Sequence, residues 1–335
     1  MSFLNVIFQV INYFLVGFIF LVLKLCGYIS FTHMVLAYIA YCIYIQLTSK
    51  TKLYYTKNER NEKILSMCPE LSKPNYKPHV LLPFAFQQMI LSEIPLLIAD
   101  KPKVAFREQE VNKYGVKLYW PYFSDFEEIT DPSTPILFFC PGMTGDITDP
   151  YVVNICIEGL KNGYHVCVYQ MRILSENFGV DESGRMNFCE DIELCLDSIK
   201  EAYPNAKIFG ISGSFGANNL LYYLGEKNKL YPKNKKKIEA AVSFSNPYNM
   251  EMCSRLCEGT IISTLVTHLE QRNSRKIKES IDKCPNLSYM DTKELINCED
   301  PYLFDEIFNG RLHGYKTATE YYRGISAVKN LIDID

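Results

Sequence analysis

The chain has 335 residues and a formal net charge of −3. That length allows one large domain or two small ones around a sizeable core, and the charge excludes the basic balance of a nucleic-acid binder, so no nucleic-acid partner is expected. Its twelve cysteines scatter without a disulfide framework, and the one CxxxC pair, Cys253 and Cys257, has neither a second pair nor a histidine cluster to complete a zinc site.

The first 49 residues read as a membrane anchor. Phe3 to Leu23 carries no charge, and after Lys24 a second uncharged stretch runs from Leu25 to Ser49. Each is long enough to span about 30 Å of hydrocarbon at about 1.5 Å per residue. No basic start and small-residue cleavage site mark a signal peptide. One or two spans remain open, because Asn5, Gln9, Asn12, His33 and Gln46 interrupt the apolar runs. Lys50, Lys52, Lys57, Arg60 and Lys63 follow, which favours a cytosolic flank without fixing the orientation. The cysteine usage fits a reducing compartment, whereas the sequon Asn286-Leu287-Ser288 points the other way.

Residues 50–103 are rich in proline and read as a connector with a short helix. From residue 104 to 335 the pattern becomes regular. Strands are predicted at Val104–Val111 and Val116–Tyr122, joined by the turn Asn112 to Gly115, and again at 135–140, 165–170, 207–212 and 238–245. Helices are predicted at Tyr151–Lys161, Asn187–Tyr203 and Ala217–Leu224, the last closed by Gly225. "PILFFC" is short and continuously apolar, as a strand buried on both faces requires. Strands alternating with helices predict an α/β fold with a mostly parallel, doubly covered sheet. The lysines at 233 and 235–237 suit either a solvated loop or a patch for anionic headgroups.

Ser212-Gly213-Ser214-Phe215-Gly216 falls where the fifth strand hands over to a helix. A sharp strand–turn–helix with small neighbours exposes a serine hydroxyl above a sheet, which makes Ser214 a candidate nucleophile. A tight turn with a capping serine would read the same way. A nucleophile of this kind needs backbone N–H groups aimed at the developing oxyanion. Phe215 supplies one, as the residue after the serine. Met143, in the loop Pro141 to Gly145 after the third strand, is the candidate for the other, although that loop alone also reads as a plain glycine turn.

The stretches "PILFFCPGMTGDITDPYVVNICIEGLKNGYHVCVYQMR" and "YPNAKIFGISGSFGANNLLYYLGE" resemble the α/β-hydrolase subfamily of abhydrolase-domain proteins one, two and three, with the yeast medium-chain ethyl-ester synthases and bacterial esterase relatives. The resemblance extends upstream through "KPHVLLPFAFQQ" and downstream through "LFDEIFNGRLHGYKTATEYYR". It implies an α/β-hydrolase fold with a helical lid, an N-terminal membrane anchor, and serine hydrolysis or acyl transfer on lipid or medium-chain acyl esters. It also implies Ser214 as nucleophile, Met143 and Phe215 at the oxyanion, no cofactor or metal, and a location at the endoplasmic reticulum or another endomembrane.

A serine nucleophile needs a histidine base held by a carboxylate. His268, in a lid-type amphipathic helix, and His313 are the two histidines beyond Ser214, and neither follows a strand. In the family the acid and base come after a segment like "SAVKNLIDI", so Asp333 and Asp335 precede the acid position. The expectation is therefore a hydrolase domain incomplete at its C-terminus and inactive in this form. The competing reading is a non-catalytic pseudo-hydrolase serving as a membrane-bound binding or scaffold protein. Arg172 is read as a brace of the site or a surface ion pair, and Asp191 as a first-turn helix acid or cap.

Overall fold

The computed structural model describes residues 24, 27, 30–49, 52–72, 104–123, 131–143, 145–175, 178–230 and 236–334. The chain falls into two compact units, Met1–Ala99 and Asp100–Asp335. In the first, α1 (Phe31–Thr48) is 18 residues long and apolar enough to cross a membrane. The other predicted span, Phe3–Leu23, lies outside the described residues, as do the lysines at 50, 233 and 235. Two short helices follow, α2 (Glu59–Met67) and α3 (Pro69–Ser72). Asn58 caps the first of them by accepting from the Asn61 N–H.

The second unit is built on one sheet of six strands: β1 (Val104–Glu110), β2 (Lys117–Phe123), β3 (Ile136–Cys140), β4 (His165–Gln170), β5 (Ile208–Gly213) and β6 (Ile238–Phe244), in the order β1-β2-β4-β3-β5-β6. β1 and β2 form an antiparallel hairpin, and β2 meets β4 antiparallel. The other four run parallel, with Ile136 opposite both His165 and Ile208, and Ser212 opposite Ser243. All six strands lie within two residues of their predicted bounds. The hairpin turn is pinned by Asn112, whose Oδ1 accepts from the Tyr114 and Val116 N–H groups.

The central strands are buried because helices cover both faces. On one face α5 (Phe188–Ala202), α6 (Ser214–Leu230) and α12 (Ala318–Ile325) enclose a core that includes Phe138, Ile192, Leu196, Ile208 and Leu220. On the other, α4 (Pro150–Lys161) packs Val152 and Cys156 against Phe139, Val166 and Val168. β6 ends the strand order and leaves Ala240, Ala241 and Val242 exposed.

A helical layer follows β6: α7 (Met250–Cys257), α8 (Ile261–Lys283), α9 (Thr292–Asn297), α10 (Pro301–Ile307) and α11 (Asn309–Leu312). It has its own core, in which Ile277, Leu295, Phe304, Phe308 and Leu312 meet Phe178 and Val180. After α12 a 3₁₀ segment, Ala327–Asp333, lies along α6. Asn218 fixes the junction: its Nδ2 donates to the Ile325 carbonyl and its Oδ1 accepts from the Ala327 N–H. Here the structure corrects one expectation. Gly225 does not close its helix; α6 continues to Leu230, and a Cβ on Gly225 would stand 2.3 Å from the Asn330 carbonyl oxygen. The glycine is there for close approach.

Candidate active site

β5 ends at Gly213 and α6 begins at Ser214 with no linking residue, so the chain must reverse within one peptide unit. Ser214 takes the strain, with φ at +53° and its side chain exposed. A left-handed non-glycine residue costs about 1–3 kcal/mol and persists only where its surroundings over-determine it. The surroundings here are steric. A Cβ on Gly216 would lie 2.0 Å from the Pro141 carbonyl oxygen and 2.5 Å from that of Cys140. One on Gly142 would lie 3.1 Å from Ser214 Cβ. The two glycines let the loop after β3 close directly against the turn.

That loop carries the second candidate. The Gly142 N–H donates to Tyr151 Oη at 3.0 Å, and the Gly145 N–H to the Gly142 carbonyl at 2.9 Å. The Gly142 amide is therefore engaged, and Met143 is the next residue along. Met143 and Phe215 line one cavity of about 80 Å³. Met143 and Phe215 thus share a cavity at the C-terminal ends of β3 and β5, where open parallel sheets bind their ligands, and Ser214, which is not among its lining residues, precedes Phe215 on the turn.

Arg172 and Asp191 line the same cavity and correct the surface reading. Both are buried, and Arg172 Nε donates to Asp191 Oδ2 at 2.8 Å while Nη2 engages Oδ1. Arg172 Nη1 donates to the Gly179 carbonyl, and the guanidinium lies 5.6 Å from the Tyr114 ring centroid. Burial pushes the Asp191 carboxyl up to about 6 against the opposing pull of Arg172. Asp191 does sit in the first turn of α5, but the cap is Asn187, whose Oδ1 accepts from the Cys189 N–H.

The two histidines separate. His268 is exposed on α8, with Nδ1 2.8 Å from the Thr264 carbonyl. His313 lines the cavity, a placement the sequence did not disclose. Its Nδ1 meets the Asn309 carbonyl at 2.9 Å, its ring packs on Phe188 and Tyr321, and burial pushes its pKa down to about 4. The ring-nitrogen bonds of the described histidines run to Ser30 and to these two carbonyls, none to a carboxylate. The cavity also takes in Glu270 from α8 and Asp305 from α10, which no motif marked. Lys237 is no free headgroup contact: its Nζ lies 2.5 Å from both Glu193 and Asp197. Among the described residues no cluster of three metal-ligating side chains occurs.

No family model matches the chain. By sequence it is 26% identical over 232 residues to a monoacylglycerol lipase of Saccharomyces cerevisiae, covering 67% of this chain and 51% of that protein. It is 25% identical over 298 residues to the phospholipase ABHD3 of Bos taurus, covering 87% and 70%. The chain thus spans about half the length of the yeast relative. A solved esterase of the bacterial hormone-sensitive lipase family aligns with a TM-score of 0.36 at 14% identity, over 83% of this chain and 86% of that one. With its sheet order and its strained serine turn the chain has an α/β-hydrolase fold, and in sequence it is similar to the abhydrolase-domain lipases and phospholipases.

Proposed function

We propose that the chain is a membrane-anchored serine hydrolase for lipid or medium-chain acyl esters, with Ser214 Oγ as nucleophile. Residues 1–49 are the anchor, 50–103 the connector and 104–335 the catalytic domain, located at the endoplasmic reticulum or another endomembrane. The observation that carries this reading is the exposed, left-handed Ser214 against Gly142. A strained turn that lifts a hydroxyl clear of the sheet is what acyl transfer requires of a serine. The relatives, a lipase and a phospholipase, support an ester of lipid type. Attack on the ester carbonyl forms a tetrahedral adduct, and the N–H groups of Phe215 and Met143 receive its oxyanion.

The proton of Ser214 needs a base, and no described histidine is held by a carboxylate. The described residues alone are therefore expected to give only the residual rate that oxyanion donors and binding sustain. That same observation favours the second reading, a non-catalytic protein that retains the pocket for binding. The test is hydrolysis of short- and medium-chain p-nitrophenyl esters by the full chain in detergent. Turnover that Ser214→Ala abolishes supports the hydrolase; turnover that Ser214→Ala leaves unchanged removes Ser214 from the chemistry.

A further inference from the structure

Among the described residues, four buried side-chain N or O atoms lack a hydrogen-bond partner, and two of them belong to the cavity wall: Glu270 Oε2 and Asn219 Oδ1. Both are acceptors. Glu270 is 5% exposed and comes from α8; Asn219 is 1% exposed and comes from α6. Asp305, from α10, is a third. Its Oδ1 accepts from Asn309 Nδ2 at 2.5 Å and its Oδ2 from Tyr322 Oη at 2.6 Å, and a carboxylate has about four lone-pair sites. Three donor side chains of the wall are committed elsewhere: Arg172 to Asp191 and the Gly179 carbonyl, Ser274 Oγ to the Glu270 carbonyl, and His313 Nδ1 to the Asn309 carbonyl.

A buried acceptor without a donor costs about 1–3 kcal/mol, so a folded chain has reason to keep one only if something fills the place. The missing partner must donate. With the carboxyls of Glu270 and Asp305 lining one cavity, a positive charge suits it better than a neutral one. Burial, with Asp305 and Asp300 adding to it, holds the Glu270 carboxyl well above the usual range, and burial lifts Asp305 to about 6. A cation would offset that cost by turning both carboxyls into ion pairs.

We propose that this cavity is a subsite for a primary ammonium group, received by the carboxylates of Glu270 and Asp305 and by Asn219 Oδ1. Three N–H donors match three acceptor groups, whereas an alcohol brings one donor and a quaternary ammonium none. Phe304 and Phe308 supply apolar wall for the carbon stem. The proposal rests on reading this cavity as the substrate pocket beside Ser214, and it narrows the substrate class to esters or lipids that carry a primary amine. The same chemistry occurs in a free alkylamine and in an ethanolamine headgroup.

The test is calorimetric titration of the full chain in detergent with ethylammonium, tetramethylammonium and 1-propanol, followed by competition with vesicles of phosphatidylethanolamine or phosphatidylcholine. Ethylammonium is expected to bind at least ten-fold more tightly than either comparator, and Glu270→Gln to weaken it ten-fold or more. Competition by phosphatidylethanolamine but not phosphatidylcholine identifies a headgroup; no competition by either identifies a free amine. Absence of ethylammonium binding, or equal binding of 1-propanol, overturns the proposal. If Glu270→Gln does not fold, the ligand series on the unaltered chain decides alone. No arm reads ester hydrolysis, so a failure of Ser214 as nucleophile leaves the result interpretable.

Discussion

The turn that carries Ser214 and the helical layer from Met250 to Leu312 hold their polar groups in different ways. At the turn the constraint is backbone against backbone, with Gly216 under the carbonyls of Cys140 and Pro141 and Gly142 against Ser214. In the helical layer it is side chain against side chain, with Asp305 held by Asn309 and Tyr322, and Glu270 left with a bare oxygen. Backbone sterics fix a position to within tenths of an ångström and tolerate no added atom. Side-chain contacts fix it less tightly and can be exchanged one at a time. A nucleophile suits the first kind of support, and an adaptable pocket wall suits the second.

The largest expected effect tests whether the sheet side of the site depends on backbone alone. Arg172→Ala leaves Asp191 buried without its guanidinium and frees the Gly179 carbonyl. It should cost about 3–5 kcal/mol in chemical denaturation. A loss under about 1 kcal/mol would place the pair outside the structural frame. Next is Gly216→Ala, whose new methyl has no room beneath Pro141. Overpacking of this severity should cost about 3 kcal/mol. Tyr322→Phe, its counterpart at Asp305 of the helical layer, removes one bond to that carboxyl and should cost about 1.5–3 kcal/mol. A Tyr322→Phe cost well above that of Gly216→Ala would reverse the comparison.

How far each region is legible in the sequence follows the same division. Parallel strands buried on both faces are continuous apolar runs, so "PILFFC" and "HVCVYQ" read directly as β3 and β4. The Ser214 turn reads as well, because its sterics demand small residues within five consecutive positions. Glu270 and Asp305 did not read, because α8 and α10 bring them together only through the packing of the layer. Arg172 reads equally as surface or interior, since a charge after a strand looks the same in either place without Asp191 behind it. Gly225 failed for a related reason: its neighbour Asn330 arrives from the far end of the chain.

The smallest effect concerns His313 and sharpens the account of the pocket wall. Its folded-state pKa, about 4, lies below the ordinary value of 6.5. The unfolded chain therefore binds the proton first as pH falls, and the stability that this histidine contributes is present above pH 6.5 and lost between there and pH 4. Asp305, raised by burial to about 6, and Glu270, also raised, work in the opposite direction. The difference between the chain and His313→Gln isolates the histidine. Thermal melts should show the unaltered chain losing a few degrees more than His313→Gln between pH 6.5 and pH 4.5. Parallel curves would mean that the imidazole is not buried in the folded state.

The central claim is a nucleophile positioned in full without a base tied to it among the described residues. Its most direct test is the rate of modification of the full chain by a fluorophosphonate, with the adduct located by peptide mapping, in the absence and presence of added imidazole. The account predicts an adduct on Ser214 that forms slowly, accelerates as imidazole is added, and vanishes in Ser214→Ala. Rapid labelling indifferent to imidazole, or no adduct at Ser214 under either condition, would contradict it.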